Sequence, residues 1–337
     1  MVKTAADLTI SESLSDNRHF ISQFRGFARL KFVTKLGLGY LRAQRKLSET
    51  LKRKECFYGP FKGEFGHFLA HTLPFISFLH EQGVKIHYCG MELHRPFMKD
   101  ESGSEIVASF HSLRDFFAEK SPATNRIVPP DDVQAEIRSF NRIAANSGLP
   151  FWDIDDEFYY WYIQRNWLLK GPYTHSYRLD KLYAPGGKEN AVTVFPRSKG
   201  AKSSKNNGDP WDYQQLCENL SKYFDKVYVC GHPSQVLALE PLGNMVFCIT
   251  TDNAVITEKC SKSRLIITQH SGVTYLGEYT ATQVMVIYKG GQEIGSIGNT
   301  LRFRPYIAGK GKAELFPMVF AFDEASVEDY CKKLTSR

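Results

Sequence analysis

The sequence lacks any long apolar run. None of its hydrophobic stretches approaches the roughly 20 residues that cross a bilayer as a helix. Cysteine is sparse and scattered. The seven thiols, Cys56, Cys89, Cys217, Cys230, Cys248, Cys260 and Cys331, are odd in number and include no C-x-x-C pair. That pattern argues against a disulfide framework and against a zinc site. Cys89, Cys230 and Cys248 fall inside apolar strand-like runs and read as small core residues. The glycines at 59, 63 and 66 do not form the G-x-G-x-x-G fingerprint, and "GKGKAEL" (309–315) lacks the Walker spacing, which excludes a P-loop kinase or sulfotransferase. A nucleophile elbow needs G-x-S-x-G. The only similar stretch runs Gln269, His270, Ser271, Gly272, and adjacent His and Ser do not make a useful dyad. There is no internal repeat. The opening "MVKTAADLTISESLSD" lacks the charged-then-apolar layout of a signal peptide, so a cytoplasmic protein is expected.

What is present is enough for a core. Apolar residues make up 42% of 337 residues, a length that suggests two domains. The net charge of +7 is unevenly spread, and much of it lies between Arg18 and Lys54. "FRGFARLKFVTKLGLGYLRAQRKLSETLKRK" mixes basic residues with aromatics. One reading is a helix drawn to the surface of an anionic membrane. The other is a basic helical arm packed on the protein body. On a helical wheel Phe20, Phe24 and Phe27 share a face, Phe32 and Leu36 fall nearly opposite, and Gly37 and Gly39 are expected to interrupt the helix. No comparable basic stripe occurs elsewhere, so nucleic acid is not an expected partner.

The second half alternates strands and helices. "NAVTVFP" (190–196), "KVYVCG", "MVFCIT", "RLIIT" and "QVMVIY" read as strands. "WDYQQLCENLSKYF", "NAVITEKCSKS" and "SGVTYLGEYTAT" read as helices, and "PSQVLALEPLG" as a short one. That rhythm predicts a parallel, doubly wound sheet, with any ligand crevice at the strand C-termini. In the first half "ECFYGPF" and "VKIHYCG" read as strands around a helix crossed by Pro74. Two amphipathic helices are expected over "SEIVASFHSLRDFFAEK" and "DDVQAEIRSFNRIAANSG". "APGGKEN" (184–190) is the best linker candidate. The division is therefore a basic arm over 1–54, a first domain over 55–180, a second over 190–320 and a final helix over 321–337. That helix is a candidate to pack back across the first domain.

Three segments carry candidate chemistry. "GPFKGEFGHFLAH" places Glu64 and His67 after the first strand, where a carboxylate or imidazole can take a proton from an attacking hydroxyl. The bland alternative is a solvated loop acid and a histidine on a helix face. "FPRSKGAKSSKNNGDPW" places Arg197 and Lys199 at a strand end, where cations suit a diphosphate; Lys202 and Lys205 fit an ordinary solvated loop. At the third, Ser271 caps a helix that starts with Gly272, and such a start is an anion site. "DIDD" (153–156) resembles a metal-binding D-x-D pair but also suits the start of the aromatic helix after it.

The order of these motifs resembles the GT-B-fold glycosyltransferases in a heptosyltransferase-like arrangement. The likeness rests on "GPFKGEFGHFLAH…LPFISFLHEQGVKIHYCG" and on "VTVFPRSK", "VYVCGHP" and "SRLIITQHSGVTYLGEYTATQVMVIY". It covers most of residues 55–290 and leaves residues 1–50 and the aromatic segment 151–173 unexplained. The resemblance implies an α/β fold of two Rossmann-like doubly wound domains facing a cleft. It also implies transfer of a sugar from a nucleotide-diphosphate sugar to a hydroxyl of a glycan or glycolipid, without a bound metal; inversion is the expectation drawn from the loop acid. Carried over, the donor's diphosphate would meet Ser271, Gly272 and Thr274 together with Arg197 and Lys199, and His270 would either touch the donor or brace the turn. Glu278 would hold the ribose, Gly231, His232 and Pro233 would approach the base, and Glu64, with His67 second, would accept the proton. Trp152, Tyr159, Tyr160 and Trp161 would either stack on sugars or serve as core. A sugar-nucleotide 2-epimerase and a non-catalytic glycan- or nucleotide-binding protein remain open beside this reading.

Overall fold

The computed structural model describes residue 2 and residues 25–119, 127–155, 178–197, 211–288 and 318–336. The described chain forms two units. One contains residues 25–155; the other contains residue 2, residues 178–288 and residues 318–336.

The first unit opens with a long helix, α1 (Gly26–Arg53), which runs unbroken through Gly37 and Gly39. Helix propensity alone disfavours two glycines, but packing on the sheet overrides it. The buried stripe is Phe32, Leu36, Gly39, Ala43, Leu47 and Thr50, at a helical period. Two polar contacts pin its C-terminal half. Trp152 Nε1 donates to Thr50 Oγ1 at 3.0 Å, and Lys46 Nζ donates to the Phe151 carbonyl. The arm is thus part of the first unit, not a separate appendage.

β1 (Glu55–Phe61), β2 (Lys85–Met91), β3 (Ser109–Leu113) and β4 (Phe151–Asp153) form a parallel sheet in the order β3-β2-β1-β4. Between β1 and β2 the chain makes a helical turn (Phe65–His67), a π turn (Phe68–Thr72) and α2 (Leu73–Glu81). The wide turn lies directly before Pro74, whose missing N–H and ring disturb a regular α-ladder. The helix expected over residues 104–120 is instead the strand β3. Its apolar residues serve separate neighbours rather than one helical face: Phe110 lies against Tyr88 at 5.2 Å, and Leu113 and Phe116 enter the core with Phe140. α3 (Asp131–Asn146) forms as expected and buries Val133, Ile137, Phe140 and Ala144.

The second unit is a six-stranded parallel sheet in the order β10-β9-β8-β5-β6-β7. Its strands are β5 (Ala191–Phe195), β6 (Lys226–Gly231), β7 (Met245–Ile249), β8 (Leu265–Thr268), β9 (Gln283–Ile287) and β10 (Met318–Ala321). The described helices that follow β5 are α4 (Tyr213–Leu220), α5 (Asn253–Lys262), α6 (Leu276–Thr280) and α7 (Glu324–Thr335). Asp212 caps α4 through Gln215 N–H, Asp252 caps α5 through Ala254 N–H, and Asp323 caps α7 through Ser326 N–H. The short helix expected after β6 is absent: residues 232–244 run as turns and extended chain. Pro233 and Pro241 bracket that stretch, and Val236 forms a bridge with Arg197. The final helix, for which packing across the first domain was one expectation, buries Val327 and Cys331 in the core of its own unit. "APGGKEN" also belongs here. Glu189 N–H donates to the Lys262 carbonyl at 2.7 Å, and its carboxylate holds Lys226 at 2.7 Å. The division therefore precedes the Pro-Gly stretch.

Each unit is Rossmann-like, and each has one point where the strand order reverses. In the first it lies between β1 and β4, in the second between β5 and β8. Ligands of open α/β sheets bind at the strand C-termini beside such a point.

Candidate functional site

In the second unit the chain segments leaving β5, β6 and β8 line the reversal point. β5 is wholly buried, and Arg197 comes two residues after its end. Leu237 N–H donates to the Pro196 carbonyl at 3.0 Å, and Arg197 bridges to Val236. The segment after β6 thus folds back beside β5. Gly231 makes this fold-back feasible. Its φ is +153°, and a Cβ there would stand 2.3 Å from Val236 Cγ2. Just beyond, His232 Nδ1 accepts from Ser234 N–H at 3.2 Å, while Pro233 is exposed.

The Arg197 side chain crosses the reversal point. Its Nη1 donates to the His270 carbonyl at 3.1 Å, joining the end of β5 to the turn after β8. The His270 imidazole is largely buried. Burial, with the Arg197 charge adding to it, lowers its pKa from 6.5 to about 4. The ring is neutral at pH 7. Ser271 N–H donates to Thr274 Oγ1 at 3.2 Å, and Thr274 N–H donates to the Ser271 carbonyl at 3.1 Å. The Ser271 hydroxyl lies 3.3 Å from Thr268 Oγ1. Ser271 is therefore built into the start of a 3₁₀ turn (Gly272–Tyr275) that continues as α6. The first turn of any helix leaves N–H donors for an external acceptor, and here Gly272 and Val273 occupy it. Glu278 lies within α6 and is buried.

Lys188 is a contributor that its sequence context conceals. It sits inside the stretch expected to be a linker, yet it is mostly buried and donates to the Thr280 carbonyl at 3.2 Å and to Thr282 Oγ1. Burial lowers its pKa to about 8. A lysine at the last carbonyls of a helix complements the helix dipole and fixes the C-terminus of α6. Nothing in "GGKEN" distinguishes it from a solvated lysine.

In the first unit the reversal point gathers the glycine loop and the residues just after β4, Ile154 and Asp155. Lys62, in the loop after β1, pairs with Asp155, two residues beyond β4, at 2.5 Å. The two segments lie far apart in sequence; the strand order β1-β4 makes them neighbours. Gly59, within β1, has φ +128°, and a Cβ there would come within 2.5 Å of the Cys89 carbonyl oxygen, so the end of the strand follows a path only glycine permits. Glu64 is exposed and precedes the helical turn, its carbonyl accepting from His67 N–H at 3.0 Å and Phe68 N–H at 3.1 Å. The His67 ring lies 5.7 Å from His71. Among the described residues no cluster of three or more His, Cys, Asp or Glu side chains is arranged to hold a metal. Trp152 is fully buried and bonded to Thr50, which makes it core. Lys199, Lys202, Lys205, Asp156, Tyr159, Tyr160 and Trp161 lie outside the described residues.

No protein-family model and no curated protein sequence matches the chain. Similar solved structures are the E. coli heptosyltransferase WaaC with ADP, a glycosyl transferase of family 9 from Veillonella parvula DSM 2008, and a glycotransferase of kitacinnamycin. The first is 10% identical with a TM-score of 0.48, covering 83% of this chain and 99% of that one. The second is 10% identical with a TM-score of 0.43, covering 84% and 97%. The third is 11% identical with a TM-score of 0.38, covering 84% and 90%.

Proposed function

We propose that the protein is a glycosyltransferase that takes its sugar from a nucleotide-diphosphate donor. The observation that carries this reading is the Arg197–His270 link across the reversal point of the second sheet. It holds a permanent cation beside a helix start, where a diphosphate finds both charge and N–H donors. Arg197, Gly272 and Thr274 would meet the diphosphate, with Ser271 shaping the turn. Lys199 would add a second cation. The turn at Gly231, His232 and Pro233 would approach the base, and Glu278 the ribose. The neutral His270 would brace the turn through its carbonyl and add no charge of its own.

Glu64, on the glycine loop of the first unit, is the proposed base. The hydroxyl oxygen of a glycan or glycolipid acceptor attacks the anomeric carbon as Glu64 takes the hydroxyl proton. The bond from that carbon to the diphosphate oxygen breaks, and the nucleoside diphosphate leaves with the electron pair. A single displacement of this kind inverts the anomeric centre. In this scheme the leaving charge is met by Arg197 and the helix start, so a metal is not required. The expected result for Glu64→Gln is loss of transfer with donor binding unchanged. Full transfer by that variant removes Glu64 from the mechanism. Transfer abolished by a chelator refutes metal independence. Conversion of the nucleotide sugar with no acceptor present replaces transfer with epimerisation.

A further inference from the structure

α1 has two apolar faces, and the first unit covers only one of them. The opposite face carries Phe27, Leu30, Leu38 and Leu41, which are 79%, 63%, 52% and 64% exposed. At about 100° per residue their spacing keeps all four within about 80° of arc, a strip about 20 Å long. Gly37 lies on the same side, and a Cβ there would meet no atom within 4 Å, so the strip stands open. Arg45 lies about five helical turns beyond Phe27 and continues the strip as a cation. Exposed Lys31 borders it, and exposed Lys52 continues it beyond Arg45. Gly26–Arg53 holds eight Lys and Arg against one acid, Glu49, and that acid is paired with Arg53 at 3.3 Å.

We infer that this face of α1 docks the protein on an anionic lipid bilayer, lying in the interface with its leucines and Phe27 in the acyl boundary and its cations among the headgroups. An apolar strip edged by cations fits that environment on both counts. No helix among the described residues is long and apolar enough to cross a membrane, so the contact is peripheral. Two copies joined through this face would bring their cations together without acids to offset them, and like charges across an interface oppose association. A nucleic acid would use the cations but leave the leucine strip in water. The surface lies apart from the proposed donor residues in sequence and belongs to the other unit, so its test does not depend on the donor reading.

The full-length protein is sedimented with vesicles of phosphatidylcholine alone and with an equimolar mixture of phosphatidylglycerol and phosphatidylcholine. Binding is expected to the anionic vesicles only, and to weaken as salt is raised. Leu38→Glu with Leu41→Glu is expected to lower partitioning by about tenfold or more, with the thermal midpoint and nucleotide binding of the parent retained because both positions are exposed. A Phe27→Trp variant is expected to show a blue-shifted emission on addition of the anionic vesicles. Parent-like vesicle binding by the double variant overturns the inference, since charge alone would then account for it. So does a parent that ignores vesicles and forms a dimer that the double variant dissociates, which would assign the face to a second copy.

Discussion

Arg197 is the position at which the donor reading is most exposed to refutation. Its guanidinium is half-buried, its backbone is bridged to Val236, and Nη1 is committed to the His270 carbonyl at 3.1 Å. The fork is therefore held before any ligand arrives, and little side-chain entropy remains to be lost on binding. A hydrogen bond to a charged group contributes about 1.5–3 kcal/mol. Arg197→Ala should then weaken nucleoside diphosphate binding by about 10- to 150-fold. The same substitution also removes the guanidinium's charge-assisted hydrogen bond to the His270 carbonyl, about 1.5–3 kcal/mol, which is less than the stability of a typical domain, so the protein should remain folded. Arg197→Lys keeps the charge but not the planar fork, and should fall between the two. Isothermal titration with ADP, UDP, GDP and CDP measures all three proteins on the same scale, with circular dichroism as the check on folding. A change in Kd below about twofold for Arg197→Ala, with the parent binding any of the four, would refute the assignment of the diphosphate to this turn. That difference is about 0.4 kcal/mol, too small for a charge-assisted contact.

Substitutions at Thr50, Gly59 and His94, with controls, test the fold of the first unit. Thr50→Val leaves the buried Trp152 Nε1 without its acceptor and should cost about 1–3 kcal/mol in urea unfolding, with Thr50→Ser recovering most of it. Gly59→Ala sets a Cβ against the Cys89 carbonyl oxygen and should destabilise more than Gly83→Ala, whose Cβ meets nothing, when the two are compared by thermal melting. His94 is fully buried, stacked on Phe68 at 4.2 Å, and burial lowers its pKa from 6.5 to about 3. The unfolded chain therefore binds the proton first. The contribution of His94 is complete above pH 6.5 and falls away as pH drops toward 3, by about 2 kcal/mol at pH 5. His94→Phe should flatten the fall in melting temperature between pH 6.5 and 4.5; an unchanged slope would place the acid sensitivity elsewhere.

The parallel sheet of the second unit was legible because its strands are short buried runs bounded by turn residues and separated by helical-period segments. The position of Arg197 came from the same pattern, since a cation at the end of an apolar strand lies at the sheet edge. What the sequence hid were contacts between distant segments. Lys62 and Asp155 are neighbours only because β4 inserts beside β1. The β3 strand carries apolar residues at a helical period, and it is pairing with β2 that decides its form. The glycines of α1 suggested a break, whereas the helix tolerates one on its open face and uses the other where it packs.

Lys46 has a consequence beyond anchoring α1. Among the described residues β4 is a three-residue strand at the border of its sheet, and along a strand successive carbonyls point to opposite sides. The Pro150 carbonyl accepts from Phe57 N–H of β1 at 2.9 Å, so the next carbonyl, that of Phe151, faces away from the sheet. Lys46 occupies it. A second chain seeking to extend the sheet would find its first acceptor already taken, by a lysine on a helix that the strand itself holds in place. Natural sheets blunt their open borders with brevity and with charge. This border uses both, and the helix proposed to meet the membrane thereby also guards the protein against strand-to-strand aggregation.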